Sequence, residues 1–282
     1  MPHNDSHPWQ SASFDKLRLR GQSLSFRVDL STVGCGCNAA VYLVRMNQPV
    51  ENGDSHYCDI MAAPPSRCLE IDLFEGNVKA ARATLHTQAG EANDGTCNQY
   101  GCAGGMGAGP GGDDGRYGLG SSSIDSSRPF TVVATFDDGG HMQVVVRQES
   151  TQIVLWDMAT SGNYPATQVP EEAAVATRDA LEQGMVLAVS LWGTETSDLS
   201  GMSWLDGGCT ARNAGGAYPH CDLKRARVVF SELVVAPPAP SPPTSPPAIV
   251  CESWCNEWTC YEQGTCDATC AAKCAGCSFC RR

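Results

Sequence analysis

Residues 236–247 read APPAPSPPTSPP, seven prolines in twelve positions without one charged residue. Proline locks φ and removes a backbone donor, so such a run is excluded from helices and central strands and is left with the extended polyproline II conformation. At about 3.1 Å per residue it forms a semi-rigid spacer of roughly 35–40 Å. The chain therefore parts into a body, residues 1–235, a linker, residues 236–250, and a tail, residues 251–282. The tail carries eight of the sixteen cysteines and no histidine. So short a segment buries too little apolar surface to fold without cross-links or metal, and the absence of His favours disulfides over zinc. Their connectivity stays open.

In the body the dominant period is two. Leu24, Phe26, Val28 and Leu30 share one face of SLSFRVDL, and Val228, Phe230 and Val234 share one face of RARVVFSELVV, interrupted by Glu232. PFTVVATF runs through Asp138-Gly139-Gly140 into HMQVVVRQ as a hairpin, and TQIVLWDM and MVLAVSLW add strands. One helix is expected over 170–183, with Pro170 at its first position, Glu171 and Glu172 in the first turn and Gly184 as its stop. Many strands and few helices predict a mainly β chain, an antiparallel β-sandwich with a small disulfide-rich C-terminal module. A sheet face of that kind suits an extended polymer better than a small metabolite.

Charge narrows the partners. A net charge of −12 argues against nucleic acid and against an anionic membrane surface, and no apolar run approaches a membrane span. Sixteen cysteines point to an oxidising compartment, so the protein is expected to be secreted. The opening MPHNDSHPWQSASFDKLRLR has no apolar signal core, and the expectation is a truncated N-terminus.

The chemistry concentrates in RCLEIDLFEGN, residues 67–77. Glu70 and Asp72 project to the same face of a strand, whereas Glu75 falls on the opposite one. One extra residue at Leu73 or Phe74, a β-bulge, restores its phase and gathers three carboxylates. Like charges raise one another's pKa, and a pair split into one ionised and one protonated carboxyl is what retaining glycoside hydrolysis requires.

The flanks GCGCNAAVYLVRM, HYCD, CLEIDLFEGN, GTCNQYGC, YGLGSSSID and MVLAVSLW…WLD occur in one order. Together they resemble the fungal-type cellulases of glycoside hydrolase family 7, over roughly residues 13–236. The resemblance implies a concanavalin-like jelly-roll sandwich with a cleft that binds cellulose and retaining cleavage of β-1,4-glucosidic bonds. It assigns the nucleophile to Glu70, the assisting aspartate to Asp72, the acid/base to Glu75 and an active-site histidine to His86. It places Asn38, Tyr42, Tyr57 and Asp59 against glucosyl units near the cut and Trp192 and Trp204 as stacking faces. It further implies a Cys58–Cys68 bridge; the neighbouring bridge of the family is lost together, at Ala62 and Arg67. Cys97 and Cys102 match family positions whose usual partners are absent, so they pair with each other, pair elsewhere or stay free. Two arginines of the family's aglycone side have no counterpart, since Ala92 and the glycine-rich run 101–120 stand there.

No metal or organic cofactor is implied, and the glycine-rich run is expected to be a flexible loop beside the cleft rather than a phosphate site. The short segment between Asp59 and Glu70 favours an open groove and endo-type cutting over processive release. In the tail, Trp254, Trp258 and Tyr261 offer a platform for carbohydrate, or the tail engages a wall component. The rivals are a family 16-type β-glucanase and a non-catalytic glucan-binding or wall protein derived from a cellulase fold.

Overall fold

The computed structural model describes residues 14–46, 57–61, 67–87, 96–107, 115–159, 169–194, 202–207 and 218–237. The chain divides into two units, Met1–Pro238 and Ala239–Arg282. All described residues belong to the first, so the tail cysteines, Trp254, Trp258 and Tyr261 lie outside them.

The first five strands are β1 (Ser23–Asp29), β2 (Cys37–Val44), β3 (Glu70–Gly76), β4 (Ala80–His86) and β5 (Cys102–Gly107). Two short strands, β6 (Tyr117–Gly118) and β7 (Ile124–Asp125), pair in parallel. Then come β8 (Phe130–Phe136), β9 (Met142–Gln148) and β10 (Thr151–Asp157), followed by helix α1 (Glu171–Gln183), β11 (Val186–Gly193), the single turn α2 (Ser203–Asp206) and β12 (Val229–Ala236). One antiparallel sheet has the order β10-β9-β8-β1-β12 and the other β11-β2-β3-β4-β5.

Alternation explains how the two sheets meet. Leu24, Phe26 and Val28 of β1 and Phe130, Val132, Ala134 and Phe136 of β8 turn one face inward. They meet Val41, Leu43, Ile71, Leu73, Phe74 and Leu85 of the second sheet in one continuous core. The Phe74 and Phe130 rings, one from each sheet, lie 5.6 Å apart. The chain is thus a β-sandwich, and the hairpin expected at Asp138-Gly139-Gly140 joins β8 to β9.

Three local expectations need correction. Pro170 is the N-cap of α1, not its first helical residue; its ψ of 145° is extended, and the helix begins at Glu171. In β12 the register against β1 shifts between Ser25 and Arg27, with Glu232 at φ 53°. That bulge moves Val234 opposite the outward-facing Ser25, so Val234 is 50% exposed although Val228 and Phe230 pack on the core. Lastly, the glycine-rich run is not simply a loop, because Cys102–Gly107 forms β5.

Close packing accounts for those glycines. A Cβ on Gly104 would stand 2.5 Å from Cδ1 of Trp156, which β10 of the other sheet contributes. The missing side chain lets an indole fit between sheets. Gly104→Ala is expected to cost about 1–3 kcal/mol by overpacking, read as a lower urea midpoint; an unchanged midpoint would show that Trp156 has room to move.

Three disulfides are described in full. Cys58–Cys68 closes across the segment before β3. Cys97–Cys102 closes the turn before β5, which decides between the alternatives left open for those two residues. Cys37–Cys221 was not foreseen and spans 184 residues, fastening the start of β2 to the segment before β12.

Candidate active site

Register builds the site. On β3 the carboxylates follow one another at Glu70, Asp72 and Glu75, and each has a partner directly across on β4: His86, Thr84 and Arg82. The ladder slips between Asp72 and Glu75, where Leu73 and Phe74 are both fully buried. Against β2 the pairs are Tyr42 with Asp72 and Val41 with Phe74, so Leu73 is the extra residue. The bulge that sequence spacing called for therefore exists, and it returns Glu75 to the face of Glu70 and Asp72.

Each carboxyl is held differently. Glu70 Oε2 accepts the backbone N–H of Ile60 at 2.9 Å. Cys58–Cys68 and the Cys68 N–H bond to the Asp59 carbonyl, 3.1 Å, tie that short segment to the strand entering the site. Glu75 Oε1 accepts from Asn38 Nδ2 at 2.8 Å, and Thr84 Oγ1 stands 3.5 Å from Oε2. Asp72 shares a hydrogen bond with Glu70 and lies 3.2 Å from His86 Nε2.

Proton positions follow from these partners. His86 Nδ1 lies 2.8 Å from the Asn98 carbonyl, which can only accept, so Nδ1 carries the hydrogen. Burial lowers the His86 pKa and favours neutral imidazole, whose Nε2 then offers a lone pair toward Asp72. Burial and the adjacent Glu75 raise Asp72 well above the usual carboxylate range, so Asp72 supplies the proton on that contact. Burial, then the charge of Asp72, push Glu70 up to about 8, while burial raises Glu75 against the opposing effects of Asn38 and Arg82.

Aromatic side chains flank the carboxylates at both ends. Near Glu70, the Tyr42 and Tyr57 hydroxyls are 2.9 Å apart, and the Asp59 backbone forms an isolated parallel β-bridge with that of Arg67. Near Glu75, Trp192 sits across from Asn38, is 45% exposed, and stacks on Trp204 with centroids 6.4 Å apart. Trp204 is carried by α2. The buried Asp206 of the same turn accepts from the Gly36 N–H at 2.9 Å and from Asn77 Nδ2 at 3.0 Å, anchoring it.

Comparison with known proteins accords with this geometry. The profile of the family described as Glycosyl hydrolase family 7 matches residues 9–63. Endoglucanase EG-1 of Hypocrea jecorina is 30% identical over 252 residues, covering 77% of this chain and 53% of the relative. Both matches are to glycosyl hydrolase family 7, which the chain resembles. It spans about half the length of EG-1. A second relative, endo-beta-1,4-glucanase celB of Aspergillus oryzae, is 27% identical over 289 residues, covering 78% of this chain and 66% of its own. Two solved structures share the fold. The native Humicola insolens endocellulase EGI superposes with a TM-score of 0.54 at 21% identity, over 79% of this chain and 69% of that one. A GH7 family cellobiohydrolase from Daphnia pulex gives 0.54 at 18%, over 81% and 73%.

Beside the residues that the family resemblance marks, the sheet brings others into the site. Thr84 and Arg82 share the face of His86 at a spacing of two, a signal present in the sequence once β4 is recognised as a strand. Asn98 had no such signal; the turn closed by Cys97–Cys102 delivers its carbonyl.

The raised carboxyls make a prediction. Glu70 binds its proton more tightly folded than unfolded, so its contribution to stability is fully present below its ordinary pKa near 4.5 and is lost as pH rises toward 8. Glu70→Gln, which cannot ionise, should flatten that decline, a difference that reaches about 4 kcal/mol by pH 8. Thermal unfolding of both proteins between pH 4.5 and 8.5 checks this; parallel curves would contradict it.

Proposed function

We propose that this protein is a retaining β-1,4-glucanase that cuts cellulose or a related β-glucan by double displacement. The observation that carries the reading is the bulge at Leu73, which sets Glu70, Asp72 and Glu75 on one face. Glu70 attacks the anomeric carbon from below the ring while Glu75 donates its proton to the departing glycosidic oxygen. The resulting glycosyl ester on Glu70 is released when Glu75, now ionised, takes a proton from water attacking the same carbon.

The surroundings support these roles. The Ile60 N–H, donated to Glu70 Oε2 at 2.9 Å, favours the Glu70 anion. Glu75 is raised by burial, which keeps a proton available for the leaving group. His86 orients Asp72 rather than meeting substrate. Tyr42, Tyr57, Asp59 and Asn38 are read as contacts to glucosyl units near the cut. The half-exposed Trp192 and its neighbour Trp204 supply π faces for the axial C–H groups of a pyranose.

An open groove and endo-type cutting are part of the proposal, as is a secreted location. Residues 236–250 are read as a linker and 251–282 as a separate disulfide module that holds the enzyme near carbohydrate or a wall component, raising local substrate concentration. Carboxymethylcellulose tests the whole reading. The purified full chain should release reducing ends and lower viscosity quickly. Binding to the polymer without any release would favour the non-catalytic rival. Slow viscosity loss at the same yield of reducing ends would refute endo action.

A further inference from the structure

Arg82 is an uncommon residue for its place. It lies on a central part of β4, only 6% exposed, on the rung directly opposite Glu75. Its guanidinium is fixed at several points. Nε donates to Thr84 Oγ1 at 3.2 Å, Nη1 donates to the Trp204 carbonyl at 3.0 Å, and the carbon centre lies 5.6 Å from the Trp204 ring centroid. Thr84 in turn directs its hydroxyl at Glu75 Oε2, 3.5 Å away. One side chain thus touches both the turn bearing a cleft tryptophan and, through one hydroxyl, the carboxyl at the same end of the ladder.

We propose that Arg82 is a positioning residue for Glu75, acting across the rung and through Thr84 while it clamps the Trp204 turn over the same end of the cleft. Its charge suits this task because a guanidinium stays charged at every working pH, which a buried imidazole does not. The other titratable groups about Glu75 are Glu70 and Asp72 on β3 and His86 on β4. The Glu70 charge opposes its ionisation, whereas a charge on His86 favours it, although burial counts against that charge. Asn38 on β2 is uncharged, β11 contributes Trp192, and the Asp206 carboxylate on α2 is taken up by Gly36 and Asn77. Arg82 therefore offsets the crowding that would otherwise hold the Glu75 proton too firmly to be transferred and returned. Two family arginines of the aglycone side find no match in this sequence, and Arg82 brings a guanidinium to the Glu75 end from a different strand.

The kinetic consequence rests on Glu75 as the acid/base; the electrostatic one does not. Arg82→Met keeps the bulk and removes the charge, and Arg82→Lys keeps the charge without the forked hold. In protein carrying ¹³C at the glutamate carboxyls, with the Glu75 signal assigned through Glu75→Gln, the Glu75 midpoint should rise by about one pH unit in Arg82→Met. In Arg82→Lys it should stay near the wild-type value, while Trp204 becomes more accessible to acrylamide in both variants. The basic limb of kcat/KM should move up in step with the midpoint. A Glu75 midpoint unchanged in Arg82→Met, or an equal rise in Arg82→Lys, would overturn the proposal. Because the titration needs no turnover, an inactive wild type would sink the glucanase reading and leave this inference decided by the midpoint. Should Arg82→Met fail to fold, the lysine variant still decides it.

Discussion

Glu70→Gln should abolish hydrolysis of an aryl β-cellobioside, lowering kcat/KM by on the order of 10⁴-fold or more, with the fold intact. The amide keeps the shape of the carboxyl but cannot form the glycosyl ester. Glu75→Gln should behave differently. Loss of general acid catalysis costs about 10²–10⁴-fold on a poor leaving group. With dinitrophenolate, which leaves unaided, formation of the ester should be nearly unaffected and its hydrolysis should become limiting. A burst of dinitrophenol from Glu75→Gln, and none from Glu70→Gln, is the expected signature. Equal losses in both variants on both substrates would show that the two carboxyls do not divide the work as described.

A second large effect concerns the frame. Cys37–Cys221 closes a loop of 184 residues, whereas Cys97–Cys102 closes one of only 5. Cross-links that restrict the unfolded chain stabilise in proportion to the logarithm of loop length, about 5 kcal/mol for the long loop and about 2 for the short one. Cys37→Ala with Cys221→Ala should consequently remove a large part of the few kcal/mol that hold a domain folded. The guanidinium midpoint should fall far more than in Cys97→Ala with Cys102→Ala. The short-loop pair carries a different cost, because the turn it closes supplies the Asn98 carbonyl that orients His86. Its variant should lose activity out of proportion to its modest loss of stability. Equal midpoints for the two double variants would contradict this account.

Much of the site was legible along the chain because it lies along the chain. Glu70, Asp72 and Glu75 share one strand, and the only non-local inference needed was a bulge, which their spacing demanded. The core faces of β1 and β8 were equally plain, since alternation there is unbroken and one face meets water. What escaped notice depends on pairing. Thr84 and Arg82 become site residues only when β4 is laid beside β3 in one register, and no local pattern fixes that register. The outward turn of Val234 arises from a bulge at Glu232 that no glycine or proline announces. Gly104 of β5 looked like flexibility and proved to be clearance for Trp156, a contact between residues far apart in sequence. Cysteine partners were hidden for the same reason, as the 184-residue span of Cys37–Cys221 illustrates.

The central claim is that Glu70 becomes covalently glycosylated, and a trapped intermediate tests it most directly. A 2-deoxy-2-fluoro-β-cellobioside with a good leaving group slows breakdown of the ester more than its formation. After reaction, digestion at Arg67 and Lys79 yields a peptide from Cys68 to Lys79 that holds Glu70, Asp72 and Glu75 together. Fragmentation by tandem mass spectrometry should place one fluorocellobiosyl group on Glu70. An adduct on Glu75 or Asp72, or turnover of the probe with no adduct at all, would contradict the mechanism.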